Sequence, residues 1–189
     1  MPLHATAPGQ FYGKRWPLYA RFGVPKIDIA AWRLSIDGLV DNKQRLSLEE
    51  LQRQPQVKLM RDFNCVEAWS IKDVVWEGVS FREVGKLAVV EPDARWVMFH
   101  CADGYTTPVP LEDAMHDDSL IALKMNGSAL SIEQGFPARP FIPHLYAWKS
   151  AKWLTRIEFI DAYRDGYWES RGYHERGYVM AEERFKPHT

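Results

Sequence analysis

Residues 61–70 read RDFNCVEAWS. The run VKLMRDFNCV (57–66) alternates apolar and polar side chains, the period of a strand with one buried face. Alternation stops at Cys65, and Glu67, Trp69 and Ser70 follow at once. A cysteine therefore stands where a strand gives way to a polar, aromatic turn. The thiol has four readings: a buried filler, half of a disulfide, a nucleophile or a metal ligand.

The rest of the chain reads outward from that strand. WRLSIDGLV (32–40), RWVMFHC (95–101), LIALKMN (120–126) and WLTRIEFID (153–161) have strand patterns, and YTTPVP (105–110) continues extended. SLEELQRQ (47–54) and SFREVGKLA (80–88) open with Ser47/Glu50 and Ser80/Glu83, spaced as capping boxes, and predict two short helices. PLEDAM (110–115) starts a helical turn, and Asn126-Gly127 signals a tight hairpin. Residues 1–30 predict an extended N-terminal arm laid over one domain spanning 31–189, with an aromatic, turn-rich tail from Asp165. Short strands broken by short helices, in no regular alternation, indicate an α+β fold of mixed topology.

Composition excludes some partners. A net charge of −1 leaves no basic footprint for nucleic acid or an anionic membrane surface. No segment approaches the roughly 18 consecutive apolar residues of a membrane span. The start, MPLHATAPGQFYGKRW, shows only the Lys14–Arg15 pair and no apolar h-region, so the expected location is cytoplasmic. In that compartment Cys65 and Cys101 are not expected to pair. The six histidines, His4, His100, His116, His144, His174 and His188, have no metal-ligand spacing. Eight tryptophans suit a core, or the walls of a pocket for a flat ligand.

Residues 139–153, RPFIPHLYAWKSAKW, carry Arg139, Lys149, Ser150 and Lys152 among aromatic and apolar residues. A planar fork of donors, two point charges and a hydroxyl make a plausible pocket for one phosphate; a solvated loop with chance charges is the plain alternative. For Cys65, parity puts Arg61 on the same strand face, whereas Glu67 would oppose a thiolate. A lone cysteine could ligate a metal if a cofactor supplied the other ligands.

The segments CVEAWS (65–70) and WEGV (76–79) resemble the molybdenum-ligating segment of the sulfite-oxidase-like molybdopterin oxidoreductases. The likeness extends through WRLSIDGLVDNKQRLSLEEL, FHCADGYTTPVPLEDAM, GFPARPFIPHLYAWKSAKWLTRIEF and GYWESRGYH, in the family's order. It implies a mixed β-sheet or barrel-like core with short helices around one molybdenum–molybdopterin cofactor without a nucleotide. Cys65 would be the thiolate on the metal, and Glu67 a nearby proton relay. Arg139, Lys149, Ser150 and Lys152 would hold the pterin and its phosphate, with His144 in the same segment. Thr106 or Thr107 would touch the cofactor.

VEAWS is nearest the methionine sulfoxide reductase branch, and it lacks the arginine that sulfite oxidases carry after the cysteine. Glu67 and Trp69 in its place disfavour a dianion and favour a neutral substrate. The expected activity is oxygen-atom transfer, reducing a sulfoxide or similar X=O compound, with an unidentified one-electron donor or acceptor as partner. The alternatives are a sulfite-type oxidase, a non-catalytic binding module for a phosphorylated or aromatic ligand, and a thiol hydrolase using Cys65 with His100 or His144.

Overall fold

The computed structural model describes residues 7–13 and 16–187; His4, His188 and the Lys14–Arg15 pair lie outside them. In chain order the elements are β1 (Phe11–Tyr12), β2 (Leu34–Gly38), β3 (Gln44–Leu46), α1 (Leu48–Gln52), β4 (Gln56–Asn64) and β5 (Trp69–Ser80). They continue with α2 (Phe81–Ala88), β6 (Trp96–Cys101), β7 (Thr106–Pro110), α3 (Leu111–Ala114), β8 (Leu120–Met125), β9 (Ser128–Ala129), β10 (Arg139–Phe141) and β11 (Leu154–Ile160). Short 3-10 turns follow at Ala147–Lys149, Glu169–Arg171 and Val179–Ala181.

Two sheets result. One runs β1-β5-β8-β10, with β4 added on β5 and β9 on β8; the other runs β3-β2-β11-β6-β7. Most neighbours are antiparallel, but β11 lies parallel to β2 and β1 parallel to β5. Neither sheet closes on itself, which corrects the barrel-like expectation to two open sheets.

The local signals behave as their chemistry requires. Ser47 and Glu50 complete a capping box at α1. At α2 only half of one forms: Ser80 accepts the Glu83 N–H, while the Glu83 carboxylate takes Lys86 instead. Asn126 and Gly127 both adopt positive φ, 51° and 81°, in the two-residue β8–β9 hairpin. That geometry is what the right-handed twist of paired strands selects.

Sheet pairing also produces two features that alternation does not show. β5, of twelve residues, is the central strand of the first sheet and was not predicted; its charged middle, Lys72–Asp73, breaks the apolar period. A register shift lies between Arg61 and Phe63. The extra residue lies on β5, beside Asp73 with its φ of 54°; Arg61 on β4 is exposed and bonds Asp118 at 2.7 Å rather than accompanying Cys65.

The first sheet divides the interior. Val79, Ile121, Leu123 and Ala138 join Phe81, Val84 and the inner residues of the second sheet in the main core. Trp76, Leu120, Ala122 and Phe141 form a second cluster with Phe63, against which Trp16 and Trp69 pack. Trp76 is fully buried and stacks on Phe141 at 4.1 Å. Strands buried on both faces read as nearly continuous apolar runs, as LIAL in β8 does. This second, aromatic side is where the site forms.

Gly78 lets β5 and β8 approach: a Cβ there would meet the Ile121 carbonyl oxygen at 2.0 Å. Gly78→Ala should cost about 1–3 kcal/mol, read as a lower urea midpoint with unchanged slope.

Candidate functional site

The hairpin joining β4 to β5 presents Cys65. Its amide donates to the Trp69 carbonyl at 2.9 Å, its carbonyl accepts the Ala68 N–H at 3.1 Å, and Ala68 sits at φ 70°. The three-residue loop thus ends in a left-handed residue, the usual geometry for such hairpins. β1 lies alongside, with Phe11 donating to Ala68 O at 2.8 Å.

Cys65 opens into a cavity of about 280 Å³. Its aromatic walls come from distant segments: Trp16 and Tyr19, Phe63 and Trp69, Trp148 and Trp153, and Trp168 and Tyr173. Glu67 stands at the exposed mouth with no ion pair among the described residues. Burial pushes the Cys65 thiol up to about 11. A thiol in that state is a poor nucleophile. His100 and His144 do not line the cavity; they bond Glu158 and Asp113, each at 2.9 Å. The thiol-hydrolase reading therefore lacks its base and is set aside. Cys101 is also a free thiol, buried in β6.

Arg139, Ser150 and Lys152 line the same cavity. Arg139 is 3% exposed. It donates to the Ser150 hydroxyl at 3.1 Å, the Ser150 carbonyl at 2.5 Å and the Gln134 carbonyl at 2.9 Å. Its guanidinium lies 5.3 Å from the Phe63 ring and 5.9 Å from Trp76. Among the described residues no carboxylate forms an ion pair with it, and burial draws it down to about 9. Lys152 donates to the Tyr19 carbonyl at 2.5 Å and the Glu133 carbonyl at 3.1 Å. Burial, then repulsion by Arg139, lowers its ammonium to about 8. Two cations near each other, neither in an ion pair among the described residues, make a receptor for an anionic group.

The remaining predicted residues stand outside the cavity. Lys149 is buried and spends its three protons on Glu169 at 2.6 Å, Pro108 O at 2.7 Å and Glu175 O at 2.5 Å. Glu169 Oε1 also accepts from the Thr107 hydroxyl at 2.8 Å and the Trp148 indole at 2.9 Å. Lys149 and Thr107 thus build the support beneath Trp148. Gly177 permits this packing, since a Cβ there would meet the Trp148 ring at 2.6 Å. Thr106 is half-buried, with its carbonyl accepting from Tyr167 N–H at 2.9 Å.

The sequence reading missed Trp16–Arg21, Gln10, Glu169 and Arg184. Glu169 lies in the quoted GYWESRGYH, but nothing local marks it as the partner of a lysine twenty residues away.

Among the described residues no three His, Cys, Asp or Glu side chains form a metal-holding group. A metal at Cys65 would take its other ligands from a cofactor. The donor set fits one: a soft sulfur at one place, uncompensated cations at another, flat aromatic walls between.

Residues 21–168 match the oxidoreductase molybdopterin binding domain. The chain belongs to this family. Among similar proteins is the Uncharacterized oxidoreductase YuiH of Bacillus subtilis, 42% identical over 84% of this chain and 80% of that one. A putative protein-methionine-sulfoxide reductase subunit YedZ1 of Azospira oryzae is 33% identical over 88% of this chain and 64% of its own length. The MsrP catalytic subunit of Campylobacter jejuni is 29% identical over 78% and 55%. The chain thus spans a little over half to two thirds of these last two. The fold is shared with the sulfane dehydrogenase SoxCD of Paracoccus pantotrophus, with TM-score 0.68 and 24% identity over 74% of this chain and 41% of that one. The molybdopterin-binding oxidoreductase is therefore an enzyme domain, and the non-catalytic module is overturned. No described helix is long and apolar enough to cross a membrane.

Two outcomes follow from the site's charges. Lys149→Met leaves Glu169 buried and unpaired, which should cost about 3–5 kcal/mol; Lys149→Met with Glu169→Gln should recover part of it in chemical denaturation. Lys152 has a folded value of about 8, below its ordinary 10.5. The unfolded chain then binds more protons between these values, so stability from this group rises as pH climbs from 8 to 10.5. Cofactor-free protein should show this rise relative to Lys152→Met, and a bound anion should abolish it.

Proposed function

We propose that the domain transfers an oxygen atom by a two-electron reaction at a molybdenum–molybdopterin centre held through Cys65. The direction proposed is reduction of a sulfoxide or similar X=O compound. The observation that carries the reading is one cavity holding a single thiol and two cations that form no ion pair among the described residues, between aromatic walls. The bound cofactor supplies the redox chemistry; the chain binds it, orients it and excludes water.

Cys65 would hold the metal through its sulfur. Burial keeps the free thiol at about 11, so its sulfur would serve as a thiolate only once a metal is bound. Arg139, Ser150 and Lys152 hold the anionic end. Thr107 and Lys149 act through Glu169 to set Trp148, and Thr106 and His144 shape the surrounding shell. Glu67, at the mouth, orders water or passes a proton to the substrate oxygen.

The substrate preference follows from sign. Glu67 lines the cavity with Cys65, and its carboxylate repels an oxyanion such as sulfite while leaving a neutral sulfoxide unopposed. The names of two relatives include methionine sulfoxide reduction, which supports the same direction. An external one-electron carrier completes the cycle. A cytoplasmic setting rests on the sequence reading alone.

Protein from a host that makes the cofactor should contain near-stoichiometric molybdenum and reduce dimethyl sulfoxide with a reduced viologen. Cys65→Ser should abolish turnover; full activity in that variant overturns the reading. Glu67→Arg should raise sulfite oxidation at least about tenfold relative to sulfoxide reduction, measured as the ratio of kcat/KM values.

A further inference from the structure

We propose that Arg184 is a positioning residue for Cys65: it fixes the loop carrying the thiol and places a positive charge beside it. This rests on Cys65 being the metal's ligand. The loop's carbonyls show how it is held. Cys65 O accepts from the Gln10 side chain at 3.0 Å, and Ala68 O from the Phe11 amide. Val66 O accepts from Arg184 Nη1. Among these donors from outside the hairpin, Arg184 is the charged one.

The other arm of the fork reaches back to the N-terminal segment, where Nη2 donates to Gly9 O at 3.1 Å. The guanidinium lies 4.9 Å from the Tyr146 ring centroid, and Tyr146 stacks on Trp148 at 5.5 Å. Its acidic neighbour is Glu182, at 3.6 Å and half exposed, a weak neutraliser. One side chain, 17% exposed, thus joins residues from both ends of the chain to the cysteine loop.

Two physical consequences follow. A charge-assisted bond to Val66 O is stronger than a neutral one, and it holds a loop whose Ala68 occupies a left-handed conformation that strains an L residue. A cation near the sulfur also withdraws charge from it, making it a weaker donor and raising the potential of a bound metal. Fork and charge are separable, because lysine keeps the charge but cannot donate to both carbonyls in one plane.

The test uses Arg184→Met and Arg184→Lys. In cofactor-free protein, Arg184→Met should speed amide exchange at Cys65 and Ala68 by about tenfold or more, leaving β8 and β11 unchanged. In loaded enzyme the same change should lower the molybdenum midpoint potential and shift its EPR signal. Arg184→Lys should restore the potential but only part of the protection, and it carries the exchange test should the methionine variant not fold. Unchanged exchange in both variants overturns the positioning role whatever the metal does. A molybdenum EPR signal unshifted in Cys65→Ser overturns the ligand reading instead, so the two failures are distinguishable.

Discussion

A guanidinium sits in the interior of this protein, and no carboxylate among the described residues pairs with it. Removing a charge from water costs several kcal/mol even after relaxation, and Arg139 recovers only part of that from three neutral oxygens and two aromatic faces. Lys152 adds a second cation in the same cavity, and burial and then Arg139 lower its attraction for protons. Asp103 also lines the cavity and attracts Lys152, though the two form no ion pair among the described residues. Such an arrangement is costly when empty and favourable when an anion enters. On the proposed reading an anionic cofactor in the cavity would offset that cost, which would link stability to cofactor loading.

The division of the first sheet explains how so small a chain affords this. One face makes the main core with the second sheet, and the other supports an aromatic cluster that doubles as the cavity floor. The buried Lys149–Glu169 pair sits on the far side of the wall, fixing Trp148 through hydrogen bonds rather than touching the cavity. Charge next to the cavity is left open for a ligand, while charge behind it is closed by a partner. Lysines three residues apart in WKSAK thus have opposite tasks.

Both chain ends converge on the cysteine loop. β1 pairs with Trp69 and Ser70, Gln10 reaches the Cys65 carbonyl, and Arg184 reaches the next one. The loop is short, and its shape is imposed largely from outside. Residues 16–21 then form one wall of the cavity, so the arm is part of the site.

The sequence by itself determined the helices with their caps, the Asn126-Gly127 hairpin, most strands and the likeness to a molybdopterin family. These rest on signals within a few residues: period, capping pairs and turn chemistry. It also marked Cys65, Arg139, Ser150 and Lys152, since soft sulfur and clustered donors are legible from residue type. Only the tertiary structure decided that Arg61 turns away, that β5 is central, and that Lys149 is spent on Glu169. It also brought Gln10 and Arg184 to the thiol. Those outcomes depend on pairings between segments 20 to 175 residues apart. Local pattern carries no information about such distances, because the energy that selects them comes from burial and charge pairing in the folded interior.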